Sequence, residues 1–195
     1  RVPFLPCSEL SLLAGYGGTG KSALMVHLAL TLATGCESNL RGWSGAETSV
    51  FKGHEIKHMR PVEPGRVALI FGEESREELT RRIYYALREL KLTLDPMVQQ
   101  DLIDRLLLFP MAGKGDVSFD DEERITGLIN GLNENAERHG PWHLIIVDPL
   151  SYFGGPLFET DNAEATALIQ RLRRLCDVSG APTVLGVHHS AKSSA

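Results

Sequence analysis

The stretch "LLAGYGGTGKSALMVHLAL" (Leu12–Leu30) sets a glycine-rich turn ending in a lysine between two apolar runs. Glycine offers a core nothing to pack, so a turn this bare suits a ligand that is held by the main chain itself. The stretch fits G-x-x-x-x-G-K-[ST] with Gly15, Gly20, Lys21 and Ser22. Before it, "LSLLAG" reads as a short buried strand. After it, Leu24, Met25, Leu28, Ala29 and Leu32 recur at helical spacing and make one apolar face. Strand, loop and helix in that order is the context the motif requires. Inward-turned backbone amides can surround a phosphate, and the helix start adds a favourable dipole. The expected phosphate-holding set is Gly15, Tyr16, Gly17, Gly18, Thr19, Gly20, Lys21, Ser22 and Ala23. In that set Lys21 would reach the β- and γ-phosphates as a point charge, and Ser22 would ligate Mg²⁺.

The chain of 195 residues, 43% of them hydrophobic, can bury one sizeable core, and residues 1–195 are expected to form one domain. No apolar run approaches the roughly 18 residues of a membrane span, so no membrane partner is expected. The chain opens "RVPFLPCSEL" without an initiator Met and closes "HHSAKSSA" directly after an apparent strand, which reads as a piece truncated at both ends. Cys7, Cys36 and Cys176 are odd in number and lack metal spacing, pointing to a reducing, cytoplasmic compartment. A net charge of −5 argues against attraction to nucleic acid over the whole surface, though a local basic path stays open.

Further along, "GRVALIFG", "LLLFP", "HLIIVD" and "PTVLGVHH" are apolar runs separated by helical patterns that begin near Arg76, Glu122 and Asn162. Nearly all-apolar strands alternating with helices predict an α/β fold, a mostly parallel sheet covered on both faces. Ser75 with Glu78 resembles a capping box, and Asp120 with Glu123 and Asp161 with Glu164 resemble its acidic counterpart. The predicted core stripes are Leu79, Ile83, Leu87 and Leu90; Ile125, Leu128, Ile129 and Leu132; Leu168, Ile169, Leu172 and Leu175. The Gly35–Gly65 region has no clear period and is long for a connection in such a fold. It reads as a small hairpin over Trp43 and Phe51, or as a partner-binding loop. "AGKGD" (Ala112–Asp116) lacks a helix directly after its lysine and is expected to be an ordinary loop.

Asp148 ends an apolar strand, the place for a carboxylate that holds Mg²⁺, directly or through water, beside the phosphate loop. Pro149 follows it, where many ATPases keep a water-activating glutamate. "RVALIFGEES" supplies a replacement: Glu73 and Glu74 lie just past the C-terminal end of another strand, at the edge where parallel sheets bind ligands. We assign the general base to Glu73 and read Glu74 as a favourable helix-start acid. His188 and His189 end the last strand on opposite faces, and one of the two is expected to sense the γ-phosphate. Arg171, Arg173 and Arg174 read as a solvated helix face, with a nucleic-acid or subunit contact as the other possibility. Tyr152 and Phe153 read as loop packing, with base stacking as the other.

Taken together, "GYGGTGKS", "LIFGEES", "IIVDPLSYF" and "LGVHHSAK" resemble the RepA-type plasmid replicative helicases, hexameric ATPases of the RecA/DnaB group. The likeness runs from about Leu12 to Lys192. It implies a RecA-like core with the phosphate-loop strand between the sensor strand and later strands, and it implies ATP and Mg²⁺ as ligands. It also implies Lys21 and Ser22 on phosphate and metal, Glu73 as catalytic glutamate, Asp148 on the magnesium and His188/His189 as sensor. A homo-oligomeric ring acting on single-stranded DNA in plasmid, phage or mobile-element replication follows from the same likeness. Two departures stand out: the long Gly35–Gly65 segment, and "PLSYF" where the family has "TLRRF". The family also continues past this point into a loop, further strands and an arginine finger.

The other functional class is an ATP-dependent switch or loader that controls a partner without translocating DNA. A small-molecule kinase fits less well, since no lid signature is present. All three need the phosphate loop. Saturating nucleotide at a hundred times its dissociation constant stabilises a folded protein by about 2.7 kcal/mol. Lys21→Ala is expected to abolish that protection, read as the shift of the melting temperature on adding Mg²⁺–ATP. Protection retained in the variant would remove the phosphate-loop role.

Overall fold

A computed structural model describes residues 5–35, 63–92, 96–114, 118–155 and 158–190. In chain order the elements are β1 (Leu10–Tyr16), α1 (Lys21–Thr34), β2 (Arg66–Phe71), α2 (Arg76–Glu89), α3 (Pro96–Arg105) and β3 (Leu106–Pro110). They continue with α4 (Glu122–His139), β4 (Trp142–Asp148), α5 (Leu150–Phe153), α6 (Asn162–Arg174), a 3₁₀ turn at Leu175–Asp177 and β5 (Thr183–Ser190). The five strands pair in the order β1-β5-β4-β2-β3, and every pairing is parallel. Helices on both faces complete a three-layer α/β, RecA-like arrangement.

Side-chain alternation along the strands sorts the core into two halves. Val67, Leu69 and Phe71 of β2, Leu144 and Ile146 of β4, and Leu185 and Val187 of β5 face α1 and α2. Ala68 and Ile70, Ile145 and Val147, and Val184 face α4, α5 and α6. β2 is buried at every position because strands flank it on both sides and helices cover both faces. β1 differs from the expected buried strand. Among the described residues it pairs only with β5, its burial alternates, and Leu12 is 54% exposed. Among the described residues the phosphate-loop strand stands at the sheet edge, beside β5, the strand that carries His188 and His189.

Helix starts follow local side-chain chemistry. The Ser75 Oγ accepts the Glu78 amide at the head of α2, as the capping pattern predicts. α4 is capped by Asp121, which accepts from Glu123, one residue later than the expected Asp120. Asp161 caps α6 by accepting from the Ala163 amide. α3 and the single turn α5 carry too few periodic apolar positions to be read beforehand: Val98 is the buried residue of α3, and α5 is four residues long. The predicted stripes on α2, α4 and α6 all face the core, with Leu79, Ile125, Leu132, Leu168 and Leu172 fully covered. Arg174 is not a free surface cation, since it ties α6 to Glu122 and Thr126 of α4. Phe153 stacks on Phe119 in the core, and Tyr152 packs at the β2 tip, so both belong to loop packing. Of the Gly35–Gly65 region, residues 36–62, with Trp43, Phe51 and Cys36, lie outside the described residues, as do 115–117 of the second glycine-rich loop.

At the N-terminal end of β2 a buried cation locks three layers together. The Arg66 guanidinium lies 4.0 Å from the Trp142 ring centre and donates to the Asp104 and Gly140 carbonyls and to the Asn135 side chain. Burial lowers its pKa from the usual arginine value, so the hydrogen bonds and the ring must replace much of its hydration. Arg66→Ala is expected to cost about 3 kcal/mol in urea unfolding, because it orphans several buried acceptors. Nucleotide affinity of the folded fraction should stay within about threefold. Five further residues of strand, about 17 Å, separate Arg66 from the ligand-binding edge.

Candidate nucleotide site

Because all five strands run the same way, their C-terminal ends share one edge, where open α/β sheets bind ligands. The phosphate loop lies at that edge between β1 and α1. Gly20 sits at the head of α1 with φ of 84°, a conformation that strains any residue with a Cβ. No side chain caps this helix, and its first turn carries no acid, so its leading amides are left for an anion. Side chains built at Gly17 or Gly18 would meet no protein atom within 4 Å, which leaves the concave side of the loop open. The Lys21 Nζ donates to the Gly15 and Tyr16 carbonyls at 2.7 Å each, folded back over the loop. Thr19 Oγ1 donates to the Tyr16 carbonyl and closes the turn. Burial lowers the Lys21 pKa and Asp148 partly offsets it.

Asp148 stands on the α1 side of the sheet, the side fixed by the alternation of Leu144 and Ile146 before it. It is 1% exposed, and neither carboxylate oxygen accepts a hydrogen bond of normal geometry. The Ser22 hydroxyl, His189 and Lys21 favour its charged form, but burial and Glu73 prevail and raise its pKa above the ordinary carboxylate value. A buried, unsatisfied carboxylate beside the helix-start serine is the donor set of a hard divalent cation. Ser22 and Asp148 therefore fit the expected Mg²⁺.

The histidine pair separates as strand alternation predicts. His189 lies on the α1 face, placed so that a protonated ring would favour the charged form of Asp148. His188 lies on the opposite face, edge-on to the Phe158 ring at 5.7 Å between centres. Of the two histidines, His189 thus shares a face with the phosphate loop.

The tip of β2 carries the two glutamates. Gly72 donates its amide to the Asp148 carbonyl at 2.8 Å, so β2 stays paired with β4 to the end of both strands. A Cβ at Gly72 would collide with the Tyr152 ring, whose hydroxyl donates to the Met111 carbonyl at 3.3 Å. The close approach of this ring makes glycine necessary there. Glu73 follows, exposed, with its charge acting on both Asp148 and Glu74. Glu74 is turned inward, its side chain 12% exposed, and pairs with Arg82 at 3.2 Å. Burial raises the Glu74 pKa, Arg82 opposes the rise, and Asp148 and Glu73 add to it. Glu74 is therefore more than a helix-start acid, and sequence reasoning missed the partner: Arg82 lies eight residues on, two turns into α2. The arrangement can hold a triphosphate on main-chain amides, a cation on Ser22 and Asp148, and a water near Glu73 and His189.

The chain matches the AAA domain family over residues 2–195 and belongs to that family of P-loop ATPases. No curated protein matches the sequence. Among the described residues no helix is long and apolar enough to cross a membrane.

The raised pKa of Asp148 has a definite sign for stability. The folded state binds this proton more tightly than the unfolded chain, so the folded state loses stability as pH rises from the unfolded pKa through the folded one. The destabilisation grows as pH rises above the ordinary carboxylate pKa and fades towards it. Asp148→Asn is expected to raise the nucleotide-free melting temperature at pH 7 by a few degrees, on the order of 1 kcal/mol. The gain should shrink towards pH 4, and protection by Mg²⁺–ATP should fall. Melting curves at both pH values, with and without Mg²⁺–ATP, check all three.

Proposed function

We propose that this chain is the ATP-hydrolysing core of a RepA-like, ring-forming motor that acts on single-stranded DNA in plasmid, phage or mobile-element replication. The supporting observation is the division of labour between two strands. Asp148 ends β4 with Pro149 behind it, while Glu73 stands past the tip of the neighbouring β2, exposed, with its charge felt at Asp148. An acid placed apart from the metal-side carboxylate suits the activation of water.

In this reading the loop amides and the head of α1 bind the β- and γ-phosphates of ATP. Lys21 exchanges the Gly15 and Tyr16 carbonyls for phosphate oxygens and neutralises charge that develops there. Mg²⁺, when bound, supplies further neutralisation of the phosphates, with Ser22 and Asp148 as its protein ligands. Glu73 orients the attacking water and accepts its proton, and His189 contacts the γ-phosphate from the β5 tip. A ring of copies would add an arginine from the neighbouring subunit, an effect worth roughly 10³–10⁵ in rate.

Glu73→Gln is expected to keep nucleotide binding and lose at least about a hundredfold in turnover. Turnover of the protein should rise when single-stranded DNA is added at low salt, where phosphate contacts are strongest. A rate indifferent to DNA there would sink the motor and leave an ATPase that switches a partner.

A further inference from the structure

We propose that Arg82 is a positioning residue for hydrolysis: it holds Glu74 at the back of the β2 tip so that Glu73 is the free carboxylate facing the nucleotide. The inference rests on the reading of Glu73 given above. Two adjacent glutamates follow Gly72, and a hydrolytic site needs only one of them directed at water. Their surroundings differ. Glu73 is exposed, whereas the Glu74 side chain is 12% exposed and its Oε1 lies 3.2 Å from an Arg82 Nη2. The same guanidinium reaches Glu78 through Nε at 3.2 Å. One arginine thus spans the residue before the α2 cap and the first turn of the helix, joining the loop acid to a rigid element. A planar fork that engages two carboxylates fixes direction as well as charge.

Without that restraint Glu74 would be a second negative group free to turn towards Asp148, with which it already interacts. It would compete with Glu73 for the water and with Asp148 for the cation. The opposite side of the tip is fixed separately by the Tyr152 ring against Gly72. The β2 tip is therefore gripped from both sides, and the charged grip is the one placed to decide between the glutamates.

The test is steady-state ATP turnover of the intact protein as Arg82→Gln, Glu74→Gln, the double variant, Arg82→Lys and Glu73→Gln, with nucleotide dissociation constants from a fluorescent ATP analogue. Arg82→Gln is expected to lower kcat about tenfold with KM and Kd within about twofold, the pattern of a lost transition-state effect. The double variant should be no worse than Arg82→Gln, since one residue acts through the other. Arg82→Lys should recover part of the rate, because it keeps the charge and loses the fork. Kd weakened as much as kcat would make Arg82 a nucleotide contact and overturn the proposal, as would additive losses in the double variant. Glu73→Gln turning over like the parent, or a parent that does not hydrolyse ATP, would remove the underlying reading instead.

Discussion

Everything at the ligand-binding edge depends on one pairing constraint: β5 is hydrogen-bonded between the phosphate-loop strand and the strand of Asp148. A single strand therefore lies between the strand that leads into the phosphate loop and the strand that ends in Asp148. One residue before the end of that intervening strand stands His189, in register with Gly15 of the loop. Parallel direction brings all these ends to the same level, and alternation brings the polar ones to the α1 face. Reversal of one strand would carry its terminal residue to the Arg66 end of the sheet. The chemistry is thus a product of backbone hydrogen bonding first and of side chains second.

Within that frame the site is electrostatically unbalanced. Three acids, Asp148, Glu73 and Glu74, influence one another, against Lys21, Arg82 and the His189 ring. Lys21 spends its hydrogen bonds on the loop's own carbonyls, and Asp148 has none of normal geometry. Such a centre is held in place by the apolar halves of the core and not by its own contacts, because a buried polar group without partners is destabilising. A polyanion carrying a divalent cation would reverse each deficit at once.

The sequence was most readable where local chemistry and long-range packing agree. The glycine loop between a strand and a helix, the apolar central strands and the Ser75 cap each announce their local form in a few consecutive residues, and the structure follows them. It was least readable where tertiary pairing decides. β1 looks as apolar as β2, yet Leu12 is half open because pairing, not composition, sets burial on a strand. α3 starts at a proline and buries one valine, too weak a signal for periodicity. His188 and His189 are identical letters, and only the phase of β5 separates the residue beside Asp148 from the one against Phe158. Glu74 looked like a helix-start acid because its cationic partner lies two turns away, beyond the reach of a local motif.

The meeting of Gly72 with the Tyr152 ring has a consequence for how such chains diverge. The backbone before Glu73 and the segment behind Asp148 occupy one another's space, with no room for even a methyl group between them. Drift at either position is then constrained by its counterpart: a bulkier residue at 72 survives only alongside a slimmer one at 152. Descendants should therefore inherit the two sites as a linked pair, although eighty residues of chain separate them.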